Sequence, residues 1–348
     1  MHPTVLRSND VLSFRERRDT RRTVSIVVPF YNEAASIDAL VGALNLFVRE
    51  AEAARSVKIS VVFVDDGSTD DGTARLEAAV TNMRRPMDVR VLRLSRNFGK
   101  EIALTAGITS VDTDAVVMMD ADLQHPPHVI HSFLAGWLDE GFDVVHAVPD
   151  HRQHERWWKK AARKAFYRVV NMDASVALLP DATDFRLMSR RAYLALNQLG
   201  ERQRLMKGLY CWIGFRQKQV PFSVPIRQAG TTKFSKRKIW SLGINGLTAF
   251  SVAPLRVAIW AGLSLAILST AYALWTVFED AFLSIPMDGY RFIFCAILMV
   301  GAAQMIIMGI IGEYLAQVLI EAKGRPLYIL ESDQHFPSNI LRDAAEAL

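Results

Sequence analysis

Asp120 and Asp122 stand one residue apart at the end of the apolar run Val116–Met119, with Gln124 two residues further on. A short, wholly apolar run ending in acids reads as a buried central strand of a parallel sheet. In open α/β sheets the ligand lies beyond the carboxyl ends of the strands, where these acids fall. Alternation along extended chain puts Asp120, Asp122 and Gln124 on one side. Three oxygen-bearing side chains there suit a hard divalent cation with positions open to a phosphorylated substrate. A solvated acidic turn has the same pattern, so the rest of the chain must decide.

Two further strand tips carry candidate groups. One is Pro29-Phe30-Tyr31-Asn32-Glu33 and the other Val64-Asp65-Asp66-Gly67-Ser68. An aromatic ring and acids at one sheet edge can stack on a base and accept its N–H groups. Asp65 and Asp66 also fit a helix-capping turn, with Ser68, Thr69 and Asp70 as good cap residues. Neither a GxGxxG dinucleotide loop nor a GxxxxGK[ST] phosphate loop occurs, which argues against an NAD enzyme or an ATPase.

The elements that must position these groups alternate in type. Strands are expected at Val24–Pro29, Lys58–Val64, Val89–Leu94, Ala115–Met119 and Phe142–Ala147. Helices are expected at Glu33–Ala54, Asp71–Met83, Gly99–Thr109 and from Pro126-Pro127 onward, proline being tolerated in a first turn. Repeated βα units imply an α/β fold with a mostly parallel, doubly wound sheet. After Asp150 the rhythm changes. The basic, aromatic stretch Glu155–Asn171 suits either a helix at a membrane surface or one packed on the sheet, and Lys236–Phe250 is a second surface-helix candidate.

The chain has 348 residues, enough for one or two domains, and is 51% hydrophobic. Val257–Phe278 and Phe292–Gly312 contain no charged residue. Each is long enough as a helix to cross a hydrocarbon layer of about 30 Å. Between them lie Glu279, Asp280 and Asp288 against Arg291. Lys233, Lys236, Arg237, Lys238 and Arg256 precede them, and Lys323 and Arg325 follow. The positive-inside rule then puts both flanks and the N-terminal region in the cytoplasm. Residues 1–22 are polar and Arg-rich, without the apolar stretch of a secretory signal. Cys211 and Cys295 define neither a disulfide framework nor a zinc site. The net charge of +5 clusters near apolar segments, so an anionic membrane surface explains it better than nucleic acid.

The turns named above, with Arg96-Asn97-Phe98-Gly99-Lys100 and Asp120 through Pro127, occur in an order and spacing that resembles family 2 glycosyltransferases of the GT-A fold. The polyprenyl-phosphate branch is the most similar: dolichol-phosphate mannose synthases and bacterial undecaprenyl-phosphate (bactoprenol) glucosyltransferases. The resemblance continues through Asp184–Arg190, Glu201-Arg202, Trp212–Phe215, Ala229–Phe234, Gly312-Glu313-Tyr314 and Arg325–Tyr328, covering roughly residues 23–330.

The resemblance implies that Asp122 and Gln124, with Asp120 beside them, hold Mg²⁺ or Mn²⁺ on a donor diphosphate. It implies a nucleotide pocket from Pro29, Tyr31, Glu33, Asp65, Asp66 and Asp120, and a catalytic group of Asp122, Asp184 and Arg186. Arg186, Arg202, Arg204 and Lys233 become candidates for gripping donor or acceptor phosphates. Asp184 is expected to orient a sugar hydroxyl, support Arg186 or act as base. His125 is expected at the edge of the site, outside the metal shell. The expected partners are a nucleotide sugar, UDP-glucose first, with GDP-mannose, UDP-galactose or an amino sugar as alternatives, and a polyprenyl phosphate in a membrane. A homo-oligomer is left open.

The expected layout is a basic tail (1–22), a catalytic domain (23–232), an amphipathic segment (233–256), a transmembrane hairpin (257–322) and a cytoplasmic tail (323–348). The whole would be integral to the bacterial inner membrane with both termini cytoplasmic. A processive polysaccharide synthase is disfavoured, because Gln203-Arg204-Leu205-Met206 does not match QxxRW. A non-catalytic scaffold or flippase component predicts an eroded site, whereas the acids are all present.

Overall fold

The computed structural model describes residues 21–83, 86–149, 183–202, 204–222 and 289–337, with isolated positions between 260 and 275. The expected helices at Glu155–Asn171 and Lys236–Phe250, and the candidate Lys233, lie outside the described residues. The chain divides into two compact units, one of residues 1–155, 179–231 and 325–348, the other of residues 156–178 and 232–324.

The first unit is built on an eight-stranded sheet: β1 (Arg22–Phe30), β2 (Val57–Asp65), β3 (Asp88–Leu94), β4 (Ala115–Met118), β5 (Val144–Pro149), β6 (Arg186–Ser189), β7 (Gln217–Phe222) and β8 (Leu330–Phe336). Their order across the sheet is β7-β5-β6-β4-β1-β2-β3-β8. The helices are α1 (Ala34–Ala54), α2 (Gly72–Thr81), α3 (Lys100–Thr109), α4 (Ile130–Leu138), α5 (Arg190–Gln198) and α6 (Met206–Trp212). A 3-10 turn at Pro127–Val129, rather than an α-helix, follows the paired prolines and leads into α4.

Alternation along β1 explains the two helical layers. Val24, Ile26 and Val28 share one core with Ile37, Leu40, Leu44 and Phe47 of α1, Leu76 and Val80 of α2, and Ile130 and Phe133 of α4. Val27 faces the other way, toward α3, where a methyl group on Gly107 would lie 2.3 Å from its Cγ1. That close approach needs glycine at position 107. β4 is only four residues long but all four are buried. Full burial of a valine side chain stabilises by about 1.5–3 kcal/mol, which accounts for so short a strand staying central.

β4, β1, β2 and β3 are parallel to one another, as expected. In the rest of the sheet β5 and β7 are also parallel to each other, and antiparallel pairing is confined to β6 and β8. β6 runs antiparallel between β4 and β5, and β8 antiparallel along β3. β8 comes from the segment expected to be a cytoplasmic tail. Its sequence is polar, and ion pairs of Arg90 with Asp333, Arg93 with Glu331 and His335 with Asp88 hold it to β3.

Strand order reverses between β1 and β4, so the crevice of this sheet opens beyond Phe30 and Met118. In the second unit, α7 (Gly289–Ala322) runs for 34 residues. Among the described residues no helix is long and apolar enough to cross a membrane, several apolar side chains of α7 lying outside that set.

Gly67, at the tip of β2, has φ +67°, and a Cβ there would sit 2.4 Å from the carbonyl carbon of Arg96. Gly67→Ala is expected to cost about 1–3 kcal/mol, since neither backbone can give way. A thermal melt in detergent indistinguishable from wild type would contradict this.

Candidate active site

The tips of β1 and β2 are laced together before any ligand is considered. Asn32, at φ +53°, donates its N–H to Ser68 Oγ (3.0 Å) and accepts from Thr69 N–H (2.8 Å) through Oδ1. Asp70 accepts from Ala34 N–H at the start of α1. Tyr31 is 40% exposed at the tip, Pro29 is buried in β1, and Glu33 is half-buried before α1, with Oε2 3.4 Å from Ser36 Oγ. Tyr31 is thus the group at this tip that has a ring open to solvent.

Asp65 and Asp66, expected in the nucleotide pocket, are hydrogen-bonded to the turns around them. Asp65 is fully buried, and its oxygens accept from Ser68 N–H (2.7 Å) and Thr73 Oγ–H (2.5 Å), with Arg93 3.6 Å away. It shapes the turn. Asp66 accepts from the N–H groups of Phe98 (2.7 Å) and Gly99 (2.9 Å), pinning the loop before α3. Burial raises its carboxyl above the usual range despite those two donors.

That pinned loop delivers Lys100. Its ammonium lies 2.6 Å from Asp120 Oδ1 and 3.0 Å from Asp184 Oδ2, joining the end of β4 to the approach to β6. Burial opposes the charge on Lys100, but the two carboxylates outweigh it and hold the ammonium well above its ordinary value. For Asp184, burial pushes upward while Lys100 and Arg186 pull further down, leaving it below the usual carboxylate range. Its other oxygen, Oδ1, is buried with no hydrogen-bond partner among the described residues.

The acid turn itself is tightly made. Leu123 has φ +57°, and Asp122 Oδ1 accepts from Gln124 N–H at 3.1 Å. His125 Nδ1 accepts from Asp120 N–H at 3.0 Å, and its ring stacks on Phe185 with centroids 4.7 Å apart. Burial lowers the His125 pKa, so the ring is neutral with its proton on Nε2. It supports the turn through these two contacts.

The arginines expected to grip phosphates, Arg186 and Arg204, lie in the interior. Arg186 is 1% exposed, its guanidinium lies 3.5 Å from the Tyr210 ring centroid, and it donates to Thr183 O. Arg204 is 8% exposed and donates to Glu201 O, Leu199 O and Thr105 Oγ. Both are interior braces: Arg186 reaches back to Thr183 beside Asp184 on the approach to β6, and Arg204 ties the loop before α6 to α3. Arg202 is half-buried on that same loop.

The expected cation can be tested against the donors present. Among the described residues, no group of three or more His, Cys, Asp or Glu side chains is gathered to hold a metal by itself. The carboxylates of Asp120 and Asp122 with the amide of Gln124 form a hard but incomplete oxygen set. This fits Mg²⁺ or Mn²⁺, which bind through one or two carboxylates plus substrate phosphates rather than in an all-protein cage.

A doubly wound sheet with an acid pair at its switch point places a ligand site of the α/β class at that edge. Residues 25–196 match the family described as Glycosyl transferase family 2, and residues 253–318 match the GtrB C-terminal hairpin. An uncharacterized glycosyltransferase, sll0501, of Synechocystis sp. is 40% identical over 88% of this chain and 94% of its own. The bactoprenol glucosyl transferase of Shigella phage SfV is 34% identical over 89% of this chain and 99% of its own. The solved structure of glucosyl-3-phosphoglycerate synthase from Mycobacterium tuberculosis, with Mn²⁺, UDP-glucose and phosphoglyceric acid, is 20% identical, covers 65% of this chain and 78% of that one, and has a TM-score of 0.42. The chain belongs to the family 2 glycosyltransferases and has their GT-A fold.

Lys100 and Glu101 are the site residues that motif reading passed over. The available signal was a lysine in the first turn of a helix, where the dipole favours acids. Glu101 accepts from Met206 N–H at 2.6 Å, and burial above all raises its pKa from 4.5 to about 7. A carboxyl with a raised folded pKa stabilises fully below pH 4.5 and loses that contribution as pH rises through about 7. Glu101→Gln keeps an acceptor and removes the charge. It should therefore melt above wild type at pH 8, by up to about 3 kcal/mol, and level with it at pH 4. Equal melting temperatures at pH 8 would refute the burial account.

Proposed function

We propose that this enzyme transfers glucose from UDP-glucose to a polyprenyl phosphate of the undecaprenyl type at the cytoplasmic face of the bacterial inner membrane. The observation that carries this reading is the similarity to bactoprenol glucosyl transferases, 34–35% identical over 88–89% of the chain, which extends through the C-terminal hairpin region. The apolar residues of that region support a membrane hairpin at 257–322. Trp260, Ile267 and Trp275 are each more than half exposed, as are Ile293, Ile297, Met308, Ile311, Leu315 and Val318 of α7. Contiguous exposed apolar residues on this scale favour a lipid environment over water.

In the proposed reaction an oxygen of the lipid phosphate attacks C1 of the glucosyl group. The bond from C1 to the diphosphate oxygen breaks, UDP leaves, and configuration at C1 inverts. The acceptor's second pKa is about 6, so it arrives largely dianionic and needs no proton removed. Asp184, held low by Lys100 and Arg186, is a weak base and suits orientation of a sugar hydroxyl. Tyr31 offers an exposed ring for the base. Asp120, Asp122 and Gln124 would hold a divalent cation, which when bound neutralises the diphosphate as it departs.

The test is detergent-purified full-length protein with labelled UDP-glucose, undecaprenyl phosphate and Mg²⁺ or Mn²⁺. Labelled lipid is the expected product. Lipid labelled only from GDP-mannose, UDP-galactose or an amino-sugar donor would replace glucose in this reading, and no labelled lipid from any donor would remove it. Asp122→Asn should reduce turnover about 100-fold or more with an unchanged melting curve. Near-normal turnover would take Asp122 out of the metal role.

A further inference from the structure

Lys100 is the charged group at the centre that the transfer scheme leaves without a task. It opens α3, where the helix dipole disfavours a cation, so its presence is not explained by helix stability. The position is imposed by the chain. Gly99 adopts φ +101°, and Asp66 fixes the amides of Phe98 and Gly99 immediately before it. The ammonium is held between Asp120 Oδ1 at 2.6 Å and Asp184 Oδ2 at 3.0 Å, while Asp184 Oδ1 has no partner among the described residues. Two carboxylates from separate strands share one tethered cation at the edge where the donor diphosphate must arrive.

We infer that Lys100 is a positioning residue that holds the cationic place between Asp120 and Asp184 in the donor-free enzyme and competes there with a divalent ion until the nucleotide sugar arrives. The inference rests on the metal reading of Asp120 and Asp122 above. Asp120, Asp122 and Asp184 with Lys100 carry a net charge of about −2, and without it about −3, so the bare site attracts a divalent ion less when the lysine is present. A metal arriving alone must take Asp120 from the ammonium. A metal arriving with a diphosphate brings phosphate oxygens to which the ammonium can turn. Lys100 therefore couples metal binding to donor binding, and keeps a metal without donor from closing the site.

The experiment measures Mn²⁺ binding to full-length protein in detergent by the electron paramagnetic resonance signal of free Mn²⁺, with and without UDP and with no lipid acceptor. Lys100→Met and Lys100→Gln are expected to bind Mn²⁺ about tenfold more tightly than wild type without UDP, and Lys100→Arg to stay near wild type. UDP should tighten Mn²⁺ binding more in wild type than in either neutral variant. Melting curves check folding, and the glutamine variant carries the test if the methionine variant does not fold. Binding by the neutral variants no tighter than wild type overturns the inference, as does an arginine variant that behaves like the neutral ones. Either result leaves the transferase reading intact if wild type binds Mn²⁺ with UDP. If no form binds Mn²⁺ with or without UDP, the metal reading fails and this inference with it, while transfer of labelled sugar is judged by its own assay.

Discussion

Three aspartates meet at one edge of this sheet, and the ammonium of Lys100 makes their meeting tolerable. At 4 Å, an effective dielectric constant of about 20 gives like charges roughly 4 kcal/mol of repulsion. The dipole penalty for a lysine at a helix start is about 0.3–1 kcal/mol. Attraction to Asp120 and Asp184 outweighs it, so the chain accepts a poor helix start to obtain a charge-balanced edge. The loop that delivers the lysine depends in turn on Asp66 and on a glycine at position 99.

The acids of this protein divide by burial. Asp65 and Asp66 spend their oxygens on backbone amides and a threonine hydroxyl, and so build the β2 turn and the loop to α3. Asp120 and Asp122 stand on a turn that His125 and Phe185 support from the core side. Asp184 has one oxygen toward Lys100 and one without a partner among the described residues. A carboxylate with all its oxygens committed cannot change partners when a substrate binds. The acids at the end of β4 and the approach to β6 can.

The parallel half of the sheet and the acid turn were legible in the sequence because continuous apolar runs end at groups with few structural reasons to be there. Val24–Pro29 and Val116–Met119 are of this kind. β6 was not legible, since Arg186 opens it and nothing local says that an arginine will be interior; its stacking on Tyr210 comes from a helix 24 positions later. Arg204 is of the same kind, because Thr105 Oγ, 99 positions away, joins the local carbonyls of Leu199 and Glu201 around its guanidinium. β8 has no apolar pattern at all, and its pairing depends on charges on β3 some 240 positions earlier. Tertiary partners override local pattern in each case.

The fold and the acceptor chemistry constrain each other. A sugar hydroxyl as acceptor needs a base at the sheet edge, and a good base needs a pKa near neutrality. Here the carboxyl whose pKa is moved to about 7 is Glu101, which is committed to Met206 N–H, while Asp184 is held low. An acceptor that is already an anion reverses the requirement. It needs positive charge to offset its approach to a departing diphosphate, and a lysine between two carboxylates supplies a charge that can be redirected. The ammonium of Lys100, held between Asp120 and Asp184, is charge of the kind the proposed phosphate acceptor needs.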